Sequence, residues 1–192
     1  MTAVEAKNFA RKYLGEHFTK NGFLEKKRSD GTLEYKRENS SGYDGFAIGT
    51  KHYNPKQYYA YSLYKRIDEV EAITKVINES MVMNPPINKD TVSLAFSYVS
   101  LKQHRVNGSY NDTYLPAMQT EEEAKVACAR ITEFLEEDAF PLLDRFNDLR
   151  EIDKVINGDD FWFDDWQKEF NLGGNFREKQ FIIAKQIGRA HV

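Results

Sequence analysis

The stretch GFAIGTKHYNPKQYYAYSLYKR, residues 45–66, decides the fold. Phe46 and Ile48 alternate with small residues, which is the period of a strand with one buried face. Asn54 and Pro55 interrupt this pattern, and residues 57–66 resume it with four tyrosines. Two alternating runs joined by a short chain breaker predict neighbouring antiparallel strands.

Further strands flank this pair on both sides. Upstream, residues 23–28 and 33–38 alternate around the turn SDGT and predict a hairpin, and residues 39–45 predict a loop. Downstream, residues 91–101 (TVSLAFSYVSL) are apolar on both faces and rich in β-branched and aromatic residues. Such a strand is typical of the middle of a sheet, so we expect a central position for it.

Helical patterns precede and follow the strands. Thr2 with Glu5, Asp68 with Glu71, and Thr120 with Glu123 each have the spacing of a helix cap before an apolar periodicity. Pro141 falls inside the last pattern and predicts a kink or break near Phe140. A final helix, capped by Asn175 and Glu178, has Phe181 among its apolar positions. The sequence therefore predicts an α+β fold. Its antiparallel sheet has about five strands, with an N-terminal helix and a helical C-terminal region packed on one face.

The end of the chain differs in character from the helix before it. Residues 187–192 read IGRAHV, which resembles a translated sequencing adapter. We therefore expect one α+β domain over residues 1–187 that is truncated at its C-terminus, with residues 188–192 a non-native tail. His191 is accordingly left out of any candidate site.

Composition restricts the class of protein. The chain has 192 residues, 41% of them hydrophobic and 30% charged, which is typical of a folded globular domain. Its net charge is -3, and its basic residues are interspersed with acidic ones, so we expect no nucleic acid partner. No apolar run is long enough to span a membrane, and the single cysteine suggests a reducing compartment. These features predict a cytoplasmic protein without a membrane partner.

Motifs for catalysis or for cofactor binding are missing from the sequence. His17, His52 and His104 lack the spacing of a helical metal pair. Cys128 lies on the apolar side of a helical pattern, which favours core packing over a nucleophilic role. The glycines match no phosphate-binding loop, and no nucleophile elbow is present. We expect no metal and no cofactor, and the sequence favours a non-catalytic protein without grouped reactive side chains.

Two segments stand out as candidate binding surfaces. The first is the tyrosine-rich strand, whose ligand-face candidates are Tyr59, Tyr61 and His52, with a nearby carboxylate such as Asp44 or Glu34. Packing of these rings under the helices is the competing interpretation. The second is GDDFWFDDWQKEF, residues 158–170, which interleaves acidic and aromatic side chains. Helix-dipole pairing accounts for its acids, whereas a basic protein partner would bind Asp160, Trp162, Asp164, Asp165 and Trp166.

The order of these signals resembles small uncharacterised bacterial domains. The resemblance rests on the N-terminal helix, on FTKNGFLEKK with the following hairpin, and on the long helix broken near FPLLDRF. Some domains of this kind are encoded beside toxin or phage genes, which implies an immunity or inhibitor role by analogy. We therefore expect a non-catalytic interaction module that binds a protein partner. The alternative is a small-ligand binder or enzyme that uses the tyrosine-rich strand and nearby carboxylates.

Overall fold

The computed structural model describes residues 1–28, 31–53, 56–80, 93–97, 117–157, 170–171 and 176–188. Within these ranges it is an α+β fold whose strands form one antiparallel sheet, in the order in which they occur along the chain. The strands are β1 (Leu24–Lys27), β2 (Leu33–Asn39), β3 (Gly42–Tyr53), β4 (Lys56–Ile67), β5 (Leu94–Ser97) and β6 (Phe170–Asn171). The helices are α1 (Ala3–Lys20), α2 (Asp68–Ser80), α3 (Glu121–Phe134), a π-helical turn (Leu135–Ala139), α4 (Phe140–Arg145), α5 (Leu149–Ile156) and α6 (Phe176–Gln186).

The two strands predicted from residues 45–66 form the middle of the sheet. β3 and β4 pair from Gly42 opposite Ile67 to Tyr53 opposite Lys56. The loop predicted at residues 39–45 is instead a tight turn, because β2 continues to Asn39 and β3 begins at Gly42. The side-chain Oδ1 of Asn39 closes this turn by accepting hydrogen bonds from the backbone N–H and the hydroxyl of Ser41, at 3.0 and 2.9 Å.

Residues 91–101, predicted as a central strand, are described as a strand only at Leu94–Ser97. Within the described residues β5 is an interior strand, because it pairs with β4 on one side and with the two-residue strand β6 on the other. Consecutive strands of a meander pair in chain order, so β5 follows β4 on the side of the sheet away from β1. The sheet therefore consists of a four-strand meander, β1 to β4, extended by two short strands.

The hydrophobic core lies on one side of the sheet, which we call the helix face. Tyr35, Phe46 and Leu63 are buried cross-strand neighbours on this face. The ring of Phe18 from α1 stacks on Tyr35 with 4.1 Å between centroids and lies 5.1 Å from Phe46. Because side chains alternate along a strand, the intervening residues lie on the opposite side, which we call the outer face. On β2, β3 and β4 these include Glu34, Lys36, Tyr43, Gly45 and Tyr64.

The long helix after Thr120 forms as predicted and changes its winding before Pro141. The side chain of Thr120 accepts a hydrogen bond from the backbone N–H of Glu123 at 3.2 Å, which completes the predicted capping box. A π-helical turn then separates α3 from α4, and Pro141 lies in the first turn of α4. Proline has no N–H to donate and its ring would clash with a carbonyl one turn earlier, so a locally wider helix accommodates it without a break.

Two side chains, one in α6 and one in α2, point in directions that the sequence did not predict. Phe181 is 53% exposed, whereas Ile182 and Ile183 beside it are buried against the core. Glu71, predicted to cap α2, is buried instead and forms an ion pair with Lys179 of α6, with 2.9 Å between Oε1 and Nζ. This ion pair joins α2 to α6, and it fixes which side of α6 faces inward.

Candidate ligand-binding cavity on the outer sheet face

A cavity of about 440 Å³ opens on the outer face at strands β1 to β3. We call it the basic cavity, because four of its seven lining residues are cationic and two are carboxylates. The lining residues are Lys26, Lys27, Arg28, Glu34, Lys36, Glu38 and Tyr43.

Strand register brings these residues together. Lys26 of β1 lies opposite Glu34 of β2, and Glu38 lies opposite Tyr43 of β3. Glu34, Lys36 and Glu38 follow one another at every second position, so their side chains share one face of β2. The local sequence alternation that buries the helix face therefore also builds the basic cavity on the other side.

Glu34 is the buried centre of the basic cavity. Glu34 is 6% exposed, and one of its carboxylate oxygens accepts a hydrogen bond from the hydroxyl of Tyr64. The same oxygen accepts a hydrogen bond from Arg28 at 3.1 Å, and the other lies 3.6 Å from Nζ of Lys36. Burial, followed by the hydrogen bond to this carboxylate, raises the pKa of Tyr64 above its ordinary value. Tyr64 therefore remains a hydroxyl donor and Glu34 an acceptor that holds two cations in place.

Tyr64 can reach Glu34 because a glycine lies beneath its ring. A Cβ added to Gly45, the cross-strand neighbour of Tyr64, would lie 2.1 Å from two ring carbons. Any other residue at this position would displace the ring. The ring of Tyr43 packs edge-on to Tyr64 with centroids 6.3 Å apart, and Nζ of Lys36 lies 4.4 Å from the centroid of Tyr43. Cation–π contact thus adds to the ion pair in fixing Lys36.

Lys26 and Lys27 complete the cavity without such restraint. Both are exposed, and within the described residues neither forms an ion pair. Arg28 and Lys36, by contrast, are already oriented by Glu34. The basic cavity therefore combines two positioned cations with Lys26, whose side chain lies on the outer face. Lys27 borders the cavity, but its side chain alternates to the helix face at the edge of the sheet. This concentration of positive charge occurs in a protein whose overall net charge is -3.

A second cavity, of about 410 Å³, lies where the β2–β3 turn meets α2 and the residues between α4 and α5. Its lining includes the carboxylates Asp68 and Glu69, and Asp68 is paired with Arg66 at 2.6 Å. The remaining lining residues are Ser40, Ser41, Ile67, Phe146, Asn147 and Leu149. The rim of this second cavity is polar, and the ion pair with Arg66 already neutralises the charge of Asp68.

The ligand-face candidates Tyr59, Tyr61 and His52 lie on the helix face and line neither of these two cavities. The hydroxyl of Tyr59, which is 2% exposed, donates a hydrogen bond to the carbonyl of Ala6 at 2.6 Å. Tyr61 packs between two aromatic rings of the core at 5.5 and 5.8 Å, and Nδ1 of His52 lies 2.7 Å from Nε2 of Gln57. The structure brings together a different pair from the sequence prediction, namely Tyr64 and Glu34.

The acidic, aromatic segment predicted to bind a basic partner lies outside the described residues. This applies to Asp160, Trp162, Asp164, Asp165 and Trp166. The role predicted for these five residues stays a prediction.

A buried ion cluster lies beneath the sheet, contrary to the expectation that titratable groups would not gather. Nζ of Lys65 is fully buried and donates to Oδ1 of Asp44 at 2.6 Å, Oδ1 of Asn147 at 2.8 Å and the carbonyl of Leu143 at 3.2 Å. Arg37 adds an ion pair to Asp44 at 2.9 Å. Desolvation lowers the pKa of Lys65, and the adjacent carboxylate opposes this effect. All three donors of the Lys65 ammonium have acceptors, so this side chain connects β3 and β4 to α4 and has no donor left for a substrate.

Sequence reasoning could not find this cluster, because Asp44 and Lys65 are 21 residues apart, with Asp44 in the predicted loop and Lys65 in a predicted strand. The strand register places them directly opposite each other. The only available signal is alternation: Asp44 and Lys65 share the parity of the buried residues Phe46 and Leu63.

The remaining chemically reactive group is the thiol of Cys128. It is buried, and this burial raises its pKa to about 11. A thiol with such a pKa is protonated at neutral pH and lacks the thiolate that nucleophilic catalysis needs. In the ranges that the structure describes, His, Cys, Asp and Glu form no group of three that could hold a metal ion. None of the helices in the described part combines the length and apolar character that a membrane span requires.

Comparisons with known protein families, with curated proteins and with solved structures give no significant match. The functional conclusion therefore rests on the geometry of the cavities and clusters alone.

Proposed function

We propose that the protein is a non-catalytic interaction module that binds an acidic segment of a partner protein at the basic cavity. The observation that carries this proposal is the pair Lys26 and Lys27, which are exposed and form no ion pair within the described residues. They border Arg28 and Lys36, which Glu34 already orients. Complementary charge of this kind favours the encounter with an acidic surface and sets its orientation.

The state of the ionisable groups supports binding over catalysis. The hydroxyl of Tyr64 is committed to Glu34, and the ammonium of Lys65 is committed to three acceptors. Cys128 is buried with a raised pKa. A general acid, base or nucleophile needs an accessible proton or electron pair at the site of reaction. Tyr64, Lys65 and Cys128, whose pKa values are altered, are instead used in the interior of the fold.

The class of partner follows from the size of the charged area. Four cations in a single cavity form a compact patch, whereas a nucleic acid backbone needs an extended row of Lys and Arg. We therefore favour a protein partner in the cytoplasm over a nucleic acid. An immunity or inhibitor role is one form of such a module. The acidic, aromatic segment defined by Asp160, Trp162, Asp164, Asp165 and Trp166 would then supply a second surface, for a basic partner.

A small anionic ligand is the second candidate. Its support is the volume of the basic cavity, about 440 Å³, which lies within the range of roughly 300–1,000 Å³ typical of small-molecule sites. Glu34, which lines the cavity beside its cations, would orient a ligand that carries both an anionic group and a hydrogen-bond donor. The same cavity thus serves either candidate, and competition between the two ligands separates them.

The test measures binding of a fluorescently labelled oligoglutamate peptide by anisotropy at low salt. We expect the double variant Lys26→Gln/Lys27→Gln to bind about fivefold more weakly than wild type, since two exposed ion pairs contribute ~1 kcal/mol in total. Lys51→Gln is the matched control, because Lys51 is an exposed lysine on the same face of the sheet, away from the cavity. Equal affinities for the double variant and for wild type would overturn the proposal. Displacement of the peptide by millimolar citrate at constant ionic strength would favour the small-ligand candidate.

A further inference from the structure

The basic cavity adjoins the edge of the sheet, and this edge has its own binding capacity. β1 is the first strand in the sheet order, and in the described part of the chain no strand pairs with its outer side. All four residues of β1 are exposed. An edge strand of this kind presents a row of backbone N–H and C=O groups that can pair with another extended chain.

The side chains of the edge define what can pair with it. From residue 24 to residue 28 the edge carries Lys26, Lys27 and Arg28 against the single carboxylate of Glu25. Arg11 of α1 already binds Glu25 through three hydrogen bonds of 2.8 to 3.0 Å. The edge is therefore strongly cationic. A second copy would bring like charges together, whereas an acidic strand would meet opposite charges, which stabilise cross-strand pairs.

The side chains of residues 24–28 point alternately to the two faces of the sheet. Lys26 lies opposite Glu34 and therefore on the outer face, together with Arg28 and Leu24, while Lys27 lies on the other face. Leu24 is 61% exposed, an apolar side chain at the end of a charged row. A strand added beside β1 would place every second side chain on the outer face, next to the basic cavity.

We propose that an extended acidic peptide binds this protein by adding a strand to the outer edge of β1, with carboxylates at alternate positions facing Lys26 and Arg28. This inference rests on the proposed function, since it specifies how the acidic segment docks. Backbone hydrogen bonds to β1 provide the pairing, and the basic cavity selects the alternate side chains. The exposed Leu24 favours an apolar residue at the end of the peptide that lies beside it.

The experiment uses a peptide of alternating Thr and Glu and two N-methylated versions of it. One version is methylated at the Glu amides and the other at the Thr amides, so that both keep the charge and the side chains. In a strand bound at β1, with the Glu side chains on the outer face, only one of these two sets of N–H groups points at the protein. We expect one methylated peptide to bind about as well as the parent. The affinity of the other should fall by about tenfold or more, since it loses at least two backbone hydrogen bonds.

A second measurement follows the protein itself. Amide hydrogen exchange of residues 24–28 should slow when the parent peptide binds, and exchange at the distant end of β3 should not change. Equal affinities of the two methylated peptides, or unchanged exchange in β1, would overturn strand addition while leaving the proposed function intact. No binding of the parent peptide would instead contradict the acidic-partner proposal. Sedimentation of the free protein as a dimer, with β1 protected at the interface, would show that a second copy occupies the edge and would also overturn strand addition.

Discussion

Removal of Lys65 should destabilise the protein strongly, and removal of Asp44 with it should restore part of the loss. Both side chains are fully buried, with 2.6 Å between Nζ and Oδ1. Taking away one member leaves the other as a buried charge, which costs about 3–5 kcal/mol in comparable pairs. Lys65→Met leaves Asp44 with Arg37 at 2.9 Å, so we expect a loss of about 3 kcal/mol.

The double variant Asp44→Leu/Lys65→Met removes both buried charges. Arg37 then retains its ion pair with Asp144 at 2.6 Å, and its side chain is 19% exposed and can reach water. Replacing a buried pair with apolar groups of similar volume is often neutral or stabilising. We therefore expect the double variant to unfold within about 2 kcal/mol of wild type, although each single variant loses about 3 kcal/mol or more.

The assay is urea unfolding at neutral pH followed by far-ultraviolet circular dichroism, for wild type, both single variants and the double variant. A coupling free energy of about 3 kcal/mol or more between the two sites is the expected result. Strictly additive losses would refute the reasoning, because they would mean that neither charge depends on the other for its burial. If the free energy of unfolding depends on urea concentration with the same slope in all variants, the same two-state transition is being compared.

Three further predictions concern other parts of the fold. Gly45→Ala should lower the free energy of unfolding by about 1–3 kcal/mol, because its Cβ would lie 2.1 Å from the ring of Tyr64. In the matched variant Gly49→Ala the nearest atom is 3.8 Å away, so equal losses in the two variants would contradict this account. Thr120→Ala should cost about 1 kcal/mol through loss of the cap of α3, measured by the same urea titration, and an unchanged midpoint would contradict the role of the cap. Folding raises the pKa of the Cys128 thiol from 9.0 to about 11. As the pH rises from about 9 to 11, the thiol therefore loses its proton in the unfolded chain before it does so in the folded protein, and its contribution to the free energy of unfolding falls. Alkaline unfolding curves of wild type and Cys128→Ala should therefore converge over this range, and parallel curves would show that the folded thiol ionises normally.

The sequence predicted the elements that depend on local periodicity. The alternation around Phe46 and Ile48 determines one buried face, and it correctly predicted the central hairpin. The capping boxes at Thr2 and Thr120 determine where α1 and α3 begin, because side-chain and backbone groups three residues apart satisfy each other. These signals are short in range and are complete within a few residues of the chain.

Sequence patterns did not decide the outcome where it depends on a contact between distant segments. Glu71 has the spacing of a helix cap, yet a buried position beside Lys179 turns it inward. The tyrosine-rich strand has rings on both faces, and only the covering helices decide that Tyr59 belongs to the core. The strand at Leu94–Ser97 has the hydrophobicity of an interior strand, but only the strand pairing shows that its neighbours are β4 and β6.

What the sequence by itself determined is therefore the α+β class, the helix face of the sheet and the beginnings of the main helices. Tertiary structure alone decided that Glu34 and Tyr64 meet over Gly45, and that Lys26, Lys27, Arg28 and Lys36 border one cavity. The physical reason is that periodicity fixes the face to which a side chain points, whereas its charge partners depend on strand register. Register is set by pairing along whole strands, and it cannot be read from any single segment of the chain.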